Sequence, residues 1–111
     1  MNDRELLEAA AKAEGHGVEF CEKSGLTFYD SRFTGLLWNP LHNDGDALRL
    51  AVKLRLSIDH NHPADNEEWV MAAGVAAMGI GPTEEVDGEI SRSAATRRAI
   101  VRAAAEIGGK P

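Results

Sequence analysis

The spacing of apolar positions along this chain changes several times, and each change marks an element. Over residues 3 to 14, Leu6, Leu7, Ala10 and Ala13 share one face at helical spacing, Asn2 or Asp3 stands at the cap position, and Gly15 and Gly17 end the run. This predicts a first helix that lays its apolar face on a sheet. The period then falls to two in Val18-Glu19-Phe20-Cys21-Glu22, with turn residues Lys23-Ser24-Gly25 and a second β-rich run, Leu26-Thr27-Phe28-Tyr29, which together predict a hairpin. Leu36-Leu37-Trp38, released by Gly35, is expected as a third extended piece.

Pro40 fixes its own φ and keeps Asn39 out of the α region, so Trp38-Asn39 is expected to be extended and the second helix to start later. Asn43 or Asp44 can cap that helix, and Asp44 and Asp46 sit where its dipole favours carboxylates. Ala47, Leu48, Leu50, Ala51 and Leu54 then form an apolar stripe, with Arg49 and Lys53 on the other face. Leu56-Ser57-Ile58-Asp59 alternates as a strand, a polar loop from His60 to Asn66 is broken by Pro63, and Glu68-Trp69-Val70-Met71-Ala72 predicts a return strand. Residues 73 to 83 are apolar but glycine-rich, which favours strand and loop over helix, and residues 84 to 90 read as an acidic connection. Ser91 or Ser93 caps a final helix through Ile107, whose narrow apolar face is Thr96, Ile100, Ala103, Ala104 and Ile107, stopped by Gly108-Gly109 and Pro111.

These elements predict a single α+β domain over residues 1–111. Three helices pack on a small, mainly antiparallel sheet of about four strands, or form an α/β/α sandwich if the last helix covers the opposite face. A chain of 111 residues can bury one core, and its 5% aromatic content with abundant alanine implies close helix contacts.

Charge narrows the function classes. Twelve Lys and Arg against 18 Asp and Glu give a net charge of −6, which disfavours a broad footprint on a phosphate backbone. The balance is uneven: Arg92, Arg97, Arg98 and Arg102 cluster in the last helix, while residues 59 to 89 are acidic. The lone Cys21 excludes an internal disulfide and fits a reducing compartment. No basic start followed by an apolar core opens the chain, and no apolar run approaches the roughly 20 residues of a membrane span. The expected location is the cytoplasm.

Two blocks, WNPLHNDGDALRLAVKL from Trp38 to Leu54 and AATRRAIVRAAAEIG from Ala94 to Gly108, resemble a group of small proteins encoded by tailed phages and prophages of Gram-negative bacteria. The resemblance covers most of the chain and implies expression inside a bacterial host. It implies no activity, cofactor or site residue.

The residues that could carry chemistry are few. Asp59-His60-Asn61-His62 places two imidazoles beside a carboxylate, but His16, His42 and Cys21 lack ligand-like spacing to the pair, and a polar loop accounts for it. His42, Asp44 and Asp46 could support acid–base chemistry if buried together, yet capping explains both acids. Gly79-Ile80-Gly81-Pro82-Thr83-Glu84 lacks the third glycine of a nucleotide loop and places a proline and acids where a helix should meet phosphate. Cys21 has no base partner in the sequence pattern. No catalytic, metal or cofactor site is therefore expected. Trp38, held by a rigid turn, is either core or a partner anchor, and Arg98 and Arg102, one turn apart, could meet an acidic partner. Arg102 could also pair with Glu106 along the helix. The leading expectation is a phage accessory protein that binds a host or phage protein without chemistry of its own. The rival is a nucleic-acid-associated factor using the arginine helix. Oligomeric state is open.

Overall fold

The computed structural model describes residues 1–62, 64, 67–74, 80–87 and 90–109. Pro63, the glycine-rich stretch 75–79 and Pro111, each used in the sequence reading, lie outside the described residues. Helix α1 spans Asp3–Glu14, strands β1 and β2 span Val18–Cys21 and Leu26–Tyr29, and a single 3₁₀ turn covers Arg32–Thr34. Helix α2 spans Asp44–Leu54, strands β3, β4 and β5 span Ser57–His60, Trp69–Ala73 and Thr83–Glu85, and helix α3 spans Arg92–Gly108. The class is α+β, as expected.

Each helix begins at a side-chain cap. Asn2 accepts from Glu5 N–H, Asn43 from Asp46 N–H and Ser91 from Ala94 N–H, satisfying one orphan donor in each first turn at about 1 kcal/mol per cap. Asp46 does more than neutralise the dipole. It is buried, its carboxylate accepts the Asn39 N–H at 2.9 Å, and it pairs with Arg49. The helix start is thereby tied to the extended Trp38-Asn39 segment before Pro40.

Three features of the expected architecture are corrected. The strands form two separate antiparallel sheets, β1-β2 and β3-β4-β5, in place of one sheet of about four strands. Thr83–Glu85, which spans the end of the segment expected as strand and loop and the start of the expected acidic connection, is a strand paired with β4. Leu36-Leu37-Trp38 does extend the first sheet, through one bridge between Phe28 and Leu37 and bonds from Tyr29 N–H to Leu36 and from Trp38 N–H to Thr27. Helix α1 was expected to lie on a sheet, but its main neighbour is α3.

The α1–α3 contact follows from side-chain size. Ala10 and Ala11 of α1 and Ala103, Ala104 and Ala105 of α3 are all buried, so the backbones approach closely. At the end of α3 the approach is extreme: a Cβ on Gly108 would stand 1.9 Å from the Ala9 carbonyl oxygen. Burial runs around most of α3, because α1, α2 and the β4-β5 side of the second sheet each take one of its sides. Ile100 and Val101 of α3 join Leu50 of α2 and Val70 of β4 in the core, each apolar side chain of this size contributing about 1.5–3 kcal/mol of burial. The helices therefore gather on one side of the three-stranded sheet. Among the described residues no helix covers its other face, so the α/β/α sandwich does not form.

Candidate functional site

Trp38 is core. Only 3% of it is exposed, and its backbone is clamped to β2 in both directions, its N–H donating to the Thr27 carbonyl and its carbonyl accepting from the Thr27 hydroxyl. The indole meets the His16 imidazole edge-on with centroids 4.7 Å apart, and His16 stacks on Tyr29 at 4.0 Å. Nδ1 of His16 donates to the Gly17 carbonyl, and Nε2 faces Glu14 Oε1 at 3.4 Å. As a surface anchor Trp38 is therefore ruled out by its own packing. The sequence reading missed the His16 cluster because nothing in the spacing of His16, Tyr29 and Trp38 brings them together before the hairpin closes.

The arginines of α3 are engaged within the fold. Arg92 donates to His60 Nδ1, the Trp69 carbonyl and Asn61 Oδ1 at 3.0, 3.2 and 3.1 Å. Arg97 donates to the Leu41 carbonyl and pairs with Asp44 at 2.6 Å. Arg98 pairs with Asp3 at 3.1 Å, and Arg102 with Glu84 at 2.6 Å, also donating to the Thr83 carbonyl. The expected Arg102–Glu106 pair is replaced by this cross-element contact. Four arginines thus stitch one helix to α1, α2 and the three-stranded sheet. Arg98 and Arg102 keep 41% and 40% of their side chains exposed while paired with acids of the same chain, so an acidic partner on this face would meet arginines that already hold a carboxylate.

The Asp59–His62 segment is used structurally. Asn61 is buried, donates to the Glu67 carbonyl, and accepts from Trp69 N–H and Arg92. His60 accepts from a guanidinium, an arrangement that sets a cation against the imidazole nitrogen. His62 Nδ1 accepts from Ala64 N–H. Asp59 lies across from Met71, on the opposite face of the sheet from His60, which lies across from Val70. Asp44 and Asp46 are likewise separated, one pairing with Arg97 and the other turned inward to Asn39. Of the Gly79–Glu84 segment, Gly79 lies outside the described residues, and Gly81 packs so tightly on β4 that a Cβ would fall 2.0 Å from the Ala72 carbonyl oxygen.

One surface that folding does not account for is apolar and lies on the hairpin. Register places Glu19 opposite Phe28 and Cys21 opposite Leu26, and Leu37 bridges to Phe28. These side chains share one face, while Val18, Phe20 and Tyr29 on the other face pack on the core. Leu26 and Leu37 are exposed, and Phe33, on the 3₁₀ turn, is 84% exposed with the Arg32 guanidinium 5.1 Å above its ring. Glu19 accepts the Arg32 N–H, so the turn sits against this same outward face. In the sequence Phe33 stands as a single apolar residue among Ser31, Arg32 and Thr34, with no periodic signal. Leu26, Leu37 and Phe33 come from three segments, which no local pattern joins.

No protein-family model matches this chain, and no curated protein or solved structure is significantly similar to it.

Proposed function

We propose that the protein is a phage- or prophage-encoded accessory protein of the bacterial cytoplasm that acts by binding a host or phage protein, with no chemistry of its own. The observation that carries this reading is the outward hairpin face, where Leu26, Phe28, Phe33 and Leu37 turn apolar surface to solvent. A half-exposed antiparallel sheet ordinarily keeps polar side chains on its solvent side. A grouped apolar face departs from that rule and is the usual mark of a protein contact. Glu19 and Arg32 at its border supply the polar rim that such contacts carry. The phage context is supported by the Trp38–Leu54 and Ala94–Gly108 blocks. Among the described residues no helix is long and apolar enough to cross a membrane.

The rival, a nucleic-acid-associated factor, loses its main support because the α3 arginines are paired with Asp3, Asp44 and Glu84. Affinity capture of the tagged protein from host cells carrying the phage, with nuclease treatment and mass spectrometry, tests both. A specific protein should survive nuclease on the wild-type chain and be lost from a Phe33→Ser/Leu37→Ser variant whose circular dichroism is unchanged. Material that disappears with nuclease would favour the rival, and equal capture by the variant would remove the hairpin face.

A further inference from the structure

The second sheet carries a different unpartnered face. Trp69 lies opposite Glu85 and Met71 opposite Thr83, so these four side chains point away from α3, while Val70 and Glu84 point toward it. The outward set lines an open groove of about 560 Å³ together with Glu67 and Glu68. Its floor is the half-buried Trp69 and Met71, and its rim is the exposed Glu67, Glu68 and Glu85. Asp59, across from Met71, adds a carboxylate to the same face. The contrast with Glu84 is informative. Glu84 holds Arg98 and Arg102 on the inner face, whereas among the described residues no ion pair is formed by Glu67, Glu68, Glu85 or Asp59.

We propose that this groove docks a basic segment of a partner protein, laying an arginine or lysine side chain on the Trp69 ring and pairing neighbouring cations with Glu67, Glu68 and Glu85. The commitment to a cationic occupant comes from charge complementarity. A tryptophan face attracts a guanidinium or ammonium through its quadrupole, Met71 offers an adaptable apolar floor, and the rim is of one sign, with no counter-charge paired to it among the described residues. An acidic peptide, a phosphate backbone or an anionic membrane surface would meet the same carboxylates as repulsion. The net charge of −6 steers a basic partner toward the molecule. This inference rests on the reading of the protein as a binding module and supplies the chemistry of one contact. The hairpin face is a separate surface, so either can fail alone.

The test titrates the isotope-labelled full chain with a capped peptide of alternating arginine and leucine, and with its glutamate-for-arginine counterpart, following amide and indole resonances by NMR. The expected result is perturbation confined to residues 67–71 and 83–86 and to the Trp69 indole, with the Trp38 indole unmoved and no response to the acidic peptide. A Glu67→Gln/Glu68→Gln/Glu85→Gln variant should bind about tenfold more weakly with an unchanged unfolding midpoint, since all three side chains are exposed. Trp69→Leu should weaken binding by a further severalfold by removing the ring and keeping an apolar side chain. Perturbation spread over the acidic surface, or wild-type affinity in the triple variant, would overturn the proposal. No response of residues 67–71 and 83–86 to the arginine peptide, together with nuclease-resistant capture that the Phe33→Ser/Leu37→Ser variant loses, would leave the binding-module reading standing while the groove reading falls.

Discussion

Cys21 sits on the outward hairpin face across from Leu26, and its surroundings favour the thiolate. The Ser24 hydroxyl contributes most, followed by the Ser24 backbone N–H, with smaller help from the Lys23 N–H and the Arg32 charge, while partial burial pulls the other way. The net effect lowers the thiol below its ordinary range. A lowered pKa means more thiolate at neutral pH, and the thiolate is the reactive form. Alkylation by iodoacetamide should therefore rise with pH through a midpoint below that of free cysteine, and Ser24→Ala should move the midpoint upward. An unshifted profile in the wild-type chain would remove this account. The same reaction also reports on function, because a partner seated on Leu26 and Phe33 would shield Cys21. At this scale the sequence was readable where a role is local. Asn2, Asn43 and Ser91 act as caps through N–H groups three residues on. It was unreadable where partners are distant, as for Asn61, which joins Arg92 across 31 positions, and for Trp38, whose burial depends on His16 and Tyr29.

Among the elements, the α1–α3 pair depends on Gly108 having no side chain. With a Cβ placed 1.9 Å from Ala9 O and 3.0 Å from Ala13 N, both rigid backbone atoms of α1, the helices would have to separate. Gly108→Ala should destabilise the domain by about 1–3 kcal/mol, the usual range for overpacking, although alanine is the better helix former. Urea unfolding checks this, and a gain in stability, as propensity alone would give, would show that the helices yield freely. The sequence reading placed Gly108 as a helix stop, because the local signal of a glycine is the same whether it ends a helix or lets another approach. Similar reasoning explains β5. Thr83-Glu84-Glu85 has no strand-like alternation of apolar residues, and it becomes a strand through its pairing with Trp69–Met71 and through Arg102, which binds Glu84 and the Thr83 carbonyl. Helix α1 carried an amphipathic pattern that fits a sheet or a helix equally, so its existence was legible and its neighbour was not.

For the whole molecule, α3 decides whether two sheets and three helices behave as one unit. Its arginines reach α1, α2, β3, β4 and β5, and its buried alanines share one core cluster with Trp38, Leu6 and Leu50. The hairpin has no strand in common with the second sheet, yet Trp38, clamped to β2, carries the hairpin into that core. Cooperative unfolding follows if this link is strong. In a Trp69→Phe variant the remaining tryptophan reports on the hairpin side, while far-UV circular dichroism is dominated by the helices. The two signals should give one urea midpoint, with a common slope of about 1–1.5 kcal/mol/M for a chain of this size. An earlier fluorescence transition would mean that the hairpin loosens while α1 and α3 remain paired. In that case its exposed leucines and Phe33 would belong to a segment of low local stability, the kind of element that is reshaped when a partner binds. A shared midpoint would instead make the hairpin face and the Trp69 groove two preformed surfaces on one rigid body, and binding at either would leave the backbone of the other in place.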